Sequence, residues 1–430
     1  MMNSKKDLII IGGGPSGLMS ALTASKIGLS AVLIEKKHDI GTYKRSCCSM
    51  LLTEPGMHGD YLAFRDNTIC FLKNDFSVKY TGRYADLWQS IRISPSGNTL
   101  KLGKRAYPIA KVIDKAQLQK DLFNDIDTSK VDIITGTVAS NLEQDDKGVK
   151  VKITNNGKQS WIEGKIALVC DGVNSPIVNN LGLNKERRHF FTSKVVSYVL
   201  ANTHIPYPNS WITFMGKSAS PTGAIYMLPK PIGNGESDVY EISQGLPLLG
   251  KLDYSAKWLL DNFLKNSRFK EWFADAKIID VHGTTHIMRS PLSDPRYGKA
   301  LFVGDSASFM EVDNQGALMC GYRAAHSALS EIEGGNGFEQ YKKFWEASFE
   351  FNNEALLSPI IKGFGLSAFS DEEINYLFSL TEGERYDGYV NHFTIGKLIL
   401  GIFVGKMNKI KAERPDIAEK FNKFLKQINE

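Results

Sequence analysis

The 430-residue sequence has little cysteine: five residues, at positions 47, 48, 70, 170 and 320. The number is odd and no spacing is Cys-x-x-Cys, which favours free thiols in a reducing compartment over a disulfide framework. The eight histidines show no zinc-ligand spacing either. His282 and His286 are four apart, but the segment VHGTTHIM around them is typical of a strand. We therefore expect neither structural disulfides nor a bound metal.

Long apolar runs are also missing. No stretch reaches the roughly 18 continuous apolar residues of a membrane span, and the apolar run before Gly12 is too short for a signal peptide. The net charge of +5 is small for the length. That value argues against nucleic acid as a partner but suits a phosphate-bearing cofactor or an anionic membrane surface. We expect a globular, cytoplasmic protein, with peripheral membrane contact left open.

The N-terminal segment DLIIIGGGPSGLMSALTASKIGLSAVLIEKK predicts strand, glycine turn, helix and second strand. In a Gly-x-Gly-x-x-Gly turn, the first glycine makes the tight turn, the second lets the backbone approach a pyrophosphate, and the third allows close helix packing. The helix N-terminus adds free N–H groups for phosphate, and an acid after the second strand binds a ribose hydroxyl. The predicted dinucleotide-binding residues are Gly12, Gly14, Pro15, Ser16, Gly17, Glu35 and Lys36.

Two later segments extend this motif. An apolar strand within 164–183 ends in Asp171-Gly172, and another within 298–329 ends in Gly304-Asp305. The second acid can hold a ribityl hydroxyl. A helix that opens at Gly316 and Ala317 can point its N–H groups at the N1–C2=O end of a flavin, where negative charge collects on reduction. An NAD-only domain needs neither segment, so FAD is the expected cofactor.

In this order, the three motifs resemble the FAD-dependent group-A superfamily (para-hydroxybenzoate hydroxylase-like) over residues 5 to 330. The resemblance implies an α/β fold, in which a Rossmann-like FAD-binding domain of the GR2 type is interleaved with an antiparallel β-sheet substrate domain and followed by C-terminal helices. The expected boundaries are 1–75, 104–182 and 276–330 for the FAD-binding domain, 76–103 and 183–275 for the substrate domain, and 331–430 for the helical region. A helix over 107–126 would lie on the adenosine side, with Gln117 and Val138 as cofactor contacts.

Within the superfamily, the chain is similar to the geranylgeranyl reductase family. The segment YKRSCCSM places cysteines after basic residues in the loop that follows the second strand, and DGVNSPIVNNLGL and GLSAFSDEEINYLFSL look like their counterparts in that family. The resemblance implies that Cys47, with Cys48 as its uncertain neighbour, lies near the flavin, and that Arg45 contacts FAD. The segment GAIYMLPKP carries Tyr226 but lacks the family's aromatic Y-x-W-x-F-P pattern.

The implied activity is that of an FAD-dependent oxidoreductase that reduces C=C bonds of an isoprenoid or lipid-like substrate, with Cys47 and Tyr226 as catalytic residues. The electron donor is open between NAD(P)H and a protein such as ferredoxin. One alternative is a flavin-dependent aromatic monooxygenase that uses NAD(P)H and O₂. A second is a protein whose FAD has no redox role.

The apolar segment 393–411, with lysines at its edges, has two interpretations. It lies at a membrane interface or covers a lipid tunnel, or it packs on the body of the protein. The tail that follows has the pattern of an amphipathic helix with a charged outer face.

Overall fold

The computed structural model describes residues 5–42, 44–221, 223–232, 238–247, 254–361 and 366–429. None of the helices in these ranges combines the length and the hydropathy that crossing a membrane requires. The fold is mixed α/β, with two large sheets and a helical C-terminal region, as the sequence predicts.

The strands are β1 Lys6–Ile11, β2 Ala31–Ile34, β3 Met50–Leu52, β4 Leu62–Arg65, β5 Thr68–Phe71, β6 Phe76–Lys79, β7 Tyr84–Leu87, β8 Gln89–Ile93, β9 Thr99–Gly103, β10 Ala110–Ile113, β11 Val131–Ile134, β12 Thr137–Asp145, β13 Gly148–Asn155, β14 Lys158–Val169, β15 His189–Ala201, β16 Ser210–Met215, β17 Ala224–Pro229, β18 Tyr240–Pro247, β19 Lys277–Arg289, β20 Arg296–Tyr297, β21 Ala300–Phe302 and β22 Arg385–Asp387.

The α-helices are α1 Pro15–Lys26, α2 Lys115–Asn124, α3 Pro176–Asn180, α4 Ala256–Asn266, α5 Asp313–Ile332, α6 Gly337–Ser348, α7 Glu354–Ile361, α8 Asp371–Ser379, α9 Ile395–Gly405, α10 Met407–Glu413 and α11 Pro415–Asn429.

The first sheet is built around parallel strands in the order β11-β2-β1-β14, with β21 also pairing parallel to β14. β1 and the paired part of β14 are buried over nearly their whole length, because helices cover both faces of such a sheet and select continuous apolar runs. The carboxyl ends of β1, β2, β14 and β21 therefore meet at one edge. Each of the three cofactor motifs follows one of these strands, so the sheet brings the motifs together.

The second sheet, here called the roof sheet, has eight strands in the order β19-β15-β18-β17-β16-β8-β9-β22. Most neighbours are antiparallel, but β16–β8 and β22–β9 are parallel pairs. Its two faces differ. One face carries Ile91, Ile212 and Ile225 and packs in a small core with α4, while Trp211 and Leu228 on the other face belong to the core shared with the FAD-binding sheet. The second face is therefore turned towards the cofactor side of the molecule.

Several predicted boundaries differ from the structure. Residues 107–126 do not form one helix, since 110–113 pair as a strand with β3 and β7 and the helix starts only at Lys115. Leu118, Leu122 and Ile126, at and after this helix, are buried. β19 pairs with β15 in the roof sheet, although 276–330 was expected to lie wholly in the FAD-binding domain. Within 76–103, only β8 and β9 join the roof sheet, because β6 and β7 find other partners.

The apolar segment 393–411 forms two helices, α9 and α10, with a break at Lys406. Ile395, Ile399 and Phe403 are spaced three and four residues apart and are buried in the large core, while Val404 on the opposite side is exposed. This spacing gives α9 one apolar face turned inward. In the structure, the segment thus packs on the body of the protein through that face.

Candidate functional site

The glycine turn after β1 fulfils the three roles expected of its glycines. Gly12 has φ +104°, and a side chain there would lie 2.5 Å from the Cys170 carbonyl oxygen. A Cβ at Gly17 would overlap the carbonyl oxygen of Gly12. In contrast, a Cβ at Gly14 would meet no atom within 4 Å. Gly12 and Gly17 therefore hold the turn closed, and Gly14 keeps open the surface where a pyrophosphate approaches the backbone.

Glu35 is buried at the end of β2 and binds the turn. Its carboxylate accepts hydrogen bonds from the backbone N–H of Gly13 and, at 2.8 Å, of Lys37. From α2, the buried Gln119 donates its amide to the Gly13 carbonyl at 3.3 Å, while its own Oε1 has no hydrogen-bond partner. Glu35 thus lies where the ribose contact was predicted, and Gln119 brings an unsatisfied acceptor to the same turn. Sequence reasoning did not mark Gln119.

Arg45 joins the other two motifs. Its Nη1 lies 3.9 Å from the Asp305 carboxylate and 4.0 Å from where a Cβ at Gly172 would stand. Next to it, Asp171 accepts a hydrogen bond from Ser175 at one oxygen, while the other oxygen is buried with no partner. Burial raises the pKa of Asp171 to about 7. The loop after β2 and the ends of β14 and β21 therefore meet around the guanidinium of Arg45.

The N-terminus of α5 is held against the strand that follows the cysteine loop. Gln315 accepts a 2.6 Å hydrogen bond from the Leu52 N–H, and Asn314 donates at 3.1 Å to the Met50 carbonyl. Gly316 and Ala317 lie in the first turn of this helix, which begins three residues before the predicted start. A Cβ at Gly316 would lie 2.8 Å from the Phe349 ring. The helix end is thus fixed beside residues 44–49, where the flavin ring was expected.

Two histidines bind one carboxylate at this helix end. Asp313 accepts from His58 Nε2 at 3.0 Å, and His392 Nε2 lies 3.6 Å from both Asp313 and Glu311. Burial alone would lower the pKa of each histidine, but hydrogen bonds to the carboxylates outweigh it and raise both to about 9. Glu311, Asp313 and His392 also lie close enough to hold a metal ion. The protonated imidazole of His392 lies 3.6 Å from both carboxylates and offsets part of their charge, which accounts for the grouping.

The side chains of the two adjacent cysteines lie in different surroundings. Cys47 Sγ accepts from Lys115 Nζ at 3.5 Å, at the start of α2, and from the Ser49 N–H at 3.4 Å. The Cys48 side chain is accessible to solvent. Desolvation, the neighbouring Cys47 and the carboxylate of Glu311 nevertheless raise its pKa well above the usual range. At neutral pH Cys48 is therefore a protonated thiol that opens towards the roof sheet.

Tyr226 lies in β17, in the middle of the roof sheet, yet its side chain is 39% exposed. Such exposure at the centre of a sheet means that open space adjoins this face. Burial by the surrounding walls raises the pKa of its hydroxyl, Arg92 opposes that effect and the Cys48 thiol adds to it. Tyr226, Arg92 and Cys48 thus line the same space. The catalytic role predicted for Tyr226 stays a prediction.

Two predicted cofactor contacts lie further out. Gln117 on α2 hydrogen-bonds to Thr81 and Asp121, and Val138 at the start of β12 is exposed. Neither is brought to the glycine turn by a contact in the structure, so their roles stay predictions. Sequence reasoning also missed Lys230 and Glu241, a buried ion pair on the roof sheet. Lys230 lies just after a strand, and no sequence motif there predicts a buried ion pair.

The residues present fit FAD. An open backbone at Gly14, a buried acid at the end of β2 and an unpartnered buried carboxylate oxygen of Asp171 converge on the edge where the sheet's strands end. Open parallel sheets bind their ligands at such an edge. Glu35, Asp171, Asp305 and Arg45 supply the polar groups that ribose, ribityl and phosphate oxygens require. The fold and this site define an FAD-dependent oxidoreductase.

Comparisons with known proteins agree. Residues 7–172 match the family described as FAD dependent oxidoreductase. The digeranylgeranylglycerophospholipid reductase of Methanosarcina acetivorans is 24% identical over 384 residues, which is 86% of this chain and 87% of that protein. The reductase of the same description from Methanococcus vannielii is 24% identical over 97% of this chain and 98% of its own length. The predicted resemblance to geranylgeranyl reductases is thereby confirmed.

Solved structures show the same fold. A geranylgeranyl bacteriochlorophyll reductase-like protein from Thermoplasma acidophilum superposes with a TM-score of 0.71, at 19% identity, over 98% of this chain and 99% of its own. A p-nitrophenol 4-monooxygenase from Pseudomonas putida reaches 0.63 at 13% identity, with 98% and 99% covered. The fold is thus shared by reductases and monooxygenases.

Proposed function

We propose that the protein reduces C=C bonds of an isoprenoid lipid, and that Cys48 provides the proton. The observation that carries this proposal is the protonated, accessible thiol of Cys48 beside Tyr226, on the open side of the roof sheet. Support comes from the curated relatives, whose names describe reductases of digeranylgeranylglycerophospholipids.

Saturating an alkene requires an electron pair at one carbon and a proton at the other. The FAD that Glu35, Asp171, Asp305 and Arg45 would hold would supply the electron pair as hydride. The Cys48 Sγ–H faces the open space and keeps its proton at neutral pH. After transfer, the thiolate regains a proton from solvent, to which the side chain is accessible. Substrate hydrogen count then rises by two for each double bond reduced.

The other residues around this space position the substrate and exclude water. Trp211, Met215 and Leu228 give the roof face its apolar side chains, which suit a hydrocarbon chain. Tyr226 closes the roof over the thiol. The loop that carries Cys48 is held by Lys230, which donates to the Cys47 carbonyl and to Ser49 Oγ, each at 3.0 Å. This support fixes the thiol in one place, as proton transfer in a water-poor site requires.

The proposed role of Cys48 is an alternative to the predicted catalytic role of Cys47, which stays a prediction. The position of Cys47 Sγ against Lys115 supports a role in holding the loop against α2. Peripheral membrane contact, a cytoplasmic location and delivery of electrons by NAD(P)H or a ferredoxin-like protein belong to the same proposal. They rest on the lipid nature of the substrate and on the need for an external reductant.

The proposal is tested by photoreducing the FAD-loaded protein without oxygen and mixing it with geranylgeranyl-bearing lipids. We expect the flavin to be reoxidised and the product mass to rise by two hydrogens per double bond. The matched control is a fully saturated phytanyl lipid, which should leave the flavin reduced. Reoxidation only by O₂, with hydroxylation of an added phenol and consumption of NAD(P)H, would instead establish a monooxygenase. A flavin that cannot be photoreduced would indicate a non-redox role.

A further inference from the structure

The roof sheet carries a continuous row of polar residues on the face turned towards the cofactor side. Strand register pairs Arg92 with Thr213, Thr213 with Tyr226, Tyr226 with Ser243, Ser243 with Ser197 and Ser197 with His282. Directly paired residues lie on the same face of a sheet. This row therefore crosses six strands and runs from the cysteine loop, where Ser46 hydrogen-bonds to Ser197, to β8.

At the β8 end of the row, four neighbouring buried side chains each have a polar atom without a hydrogen-bond partner. Ser90 and Arg92 on β8 pair with Trp211 and Thr213 on β16. The atoms without partners are Ser90 Oγ, Arg92 Nε, Trp211 Nε1 and Thr213 Oγ1. Buried polar atoms are almost always satisfied in folded proteins, so four orphans in one block of a sheet indicate a binding site.

These four groups are all hydrogen-bond donors. The guanidinium and the indole N–H can only donate, and the two hydroxyls can do so as well. Arg92 is 6% exposed, and its contact in the structure is a weak one, from Nη1 to Met215 Sδ at 3.7 Å. No carboxylate among the described residues forms an ion pair with it. Burial without such a partner lowers the pKa of Arg92. The missing ligand must therefore supply acceptors, and a negative charge suits it best.

We propose that Ser90, Arg92, Trp211 and Thr213 bind an anionic group of the substrate, a phosphate or a carboxylate. This proposal rests on the proposed function and names the part of the lipid that the site recognises. Two strand spacings separate Arg92 from Tyr226, which places the anion about 10 Å along the sheet from Tyr226. The hydrocarbon chain then runs under the roof face from Arg92 towards Cys48, so the anchored group decides which double bond reaches the thiol.

The proposal is tested by measuring how tightly the FAD-loaded protein binds three probes. The probes are geranylgeranyl phosphate, geranylgeranoic acid and geranylgeraniol, and their binding is monitored by the change in flavin absorbance. One charge-assisted hydrogen bond changes affinity by about 10- to 100-fold. In Arg92→Met we expect the dissociation constants of the phosphate and the acid to rise by this factor, and that of the neutral alcohol to change less than about threefold. Arg92→Lys should recover part of the loss, since it keeps the charge.

Arg65→Met, which removes an exposed arginine at the end of β4, is the matched control, and FAD content and far-UV circular dichroism check folding. Thr213→Val provides a milder second variant with the same selective loss. Equal losses for all three probes, or unchanged affinity for the anions, would overturn the anion site. These binding results are independent of turnover. Failure of the proposed function would show itself differently, as reduced flavin that none of the three probes reoxidises.

Discussion

Lys230 and Glu241 form an ion pair inside the roof sheet, where each side chain is only 4% exposed. Lys230 also donates to the Cys47 carbonyl and to Ser49 Oγ. Burial would raise the pKa of Glu241, but Lys230 and the neighbouring His282 outweigh it and hold the pKa below its usual value. One buried lysine thus links the roof sheet to the loop that presents the thiol.

Lys230→Met should destabilise the protein by about 3–5 kcal/mol, because it leaves the Glu241 carboxylate buried without its partner. Urea unfolding at neutral pH measures the effect. The double variant Lys230→Met/Glu241→Gln should recover part of the loss. Lys150→Met breaks an exposed pair with Glu163 and should cost less than about 1 kcal/mol. A Lys230→Met protein as stable as the parent would refute the role of this pair.

Cys48→Ala should slow the reoxidation of reduced flavin by a geranylgeranyl lipid by about 10²- to 10⁴-fold, since it removes a general acid. Cys47→Ala is the matched control, because its thiol contacts Lys115 and the loop backbone. We expect it to change this rate by less than about tenfold. Single-turnover kinetics at equal FAD content separate the two. A larger loss in Cys47→Ala would restore the prediction made from sequence.

Gly14→Ala and Gly17→Ala should impair different properties of the protein, FAD binding in the first and stability in the second. A Cβ at Gly14 meets only open space, so the variant should fold with parental stability and lose FAD affinity, as the methyl group occupies the pyrophosphate approach. A Cβ at Gly17 overlaps the Gly12 carbonyl, which should destabilise the apoprotein by several kcal/mol, roughly 2–4. Thermal unfolding of the apoprotein and FAD titration measure the two effects. Tight FAD binding by Gly14→Ala would contradict this assignment.

His58 should make stability depend on pH. Its pKa is raised from 6.5 to about 9 in the folded protein by Asp313 and Glu350. The protonated form is favoured by folding, so the contribution is fully present below pH 6.5 and is lost as pH rises through about 9. The stability difference between the parent and His58→Gln should therefore reach roughly 2–3 kcal/mol near pH 6.

Urea unfolding at intervals from pH 6 to 10 follows this difference, which should shrink steadily above pH 6.5. His392→Gln removes the second histidine at the same Asp313 carboxylate. The same measurement on this variant shows how much of the pH dependence comes from His392. A gap between the parent and His58→Gln that stays constant over the whole range would show that His58 acts through packing alone.

Much of the cofactor site could be predicted from the sequence. Local chemistry dictates the strand-turn-helix at this motif, because only glycine fits the backbone positions of Gly12 and Gly17, while Gly14 leaves the surface of the turn open. The acid at Glu35 and the motifs at Asp171 and Asp305 follow strands whose apolar runs reveal them. Since parallel strands end at one edge of a sheet, their order in the chain is enough to predict that these groups converge.

The substrate side was decided by the tertiary structure. Alternating strands look alike in sequence, and only their register shows that Arg92, Thr213 and Tyr226 are neighbours. Two adjacent cysteines cannot be told apart by motif, and it took the packing of α2 against Cys47 to show that Cys48 faces the open space. Local backbone chemistry thus determined the candidate FAD site, while long-range strand pairing, which local sequence does not encode, determined which side chains line the proposed substrate space.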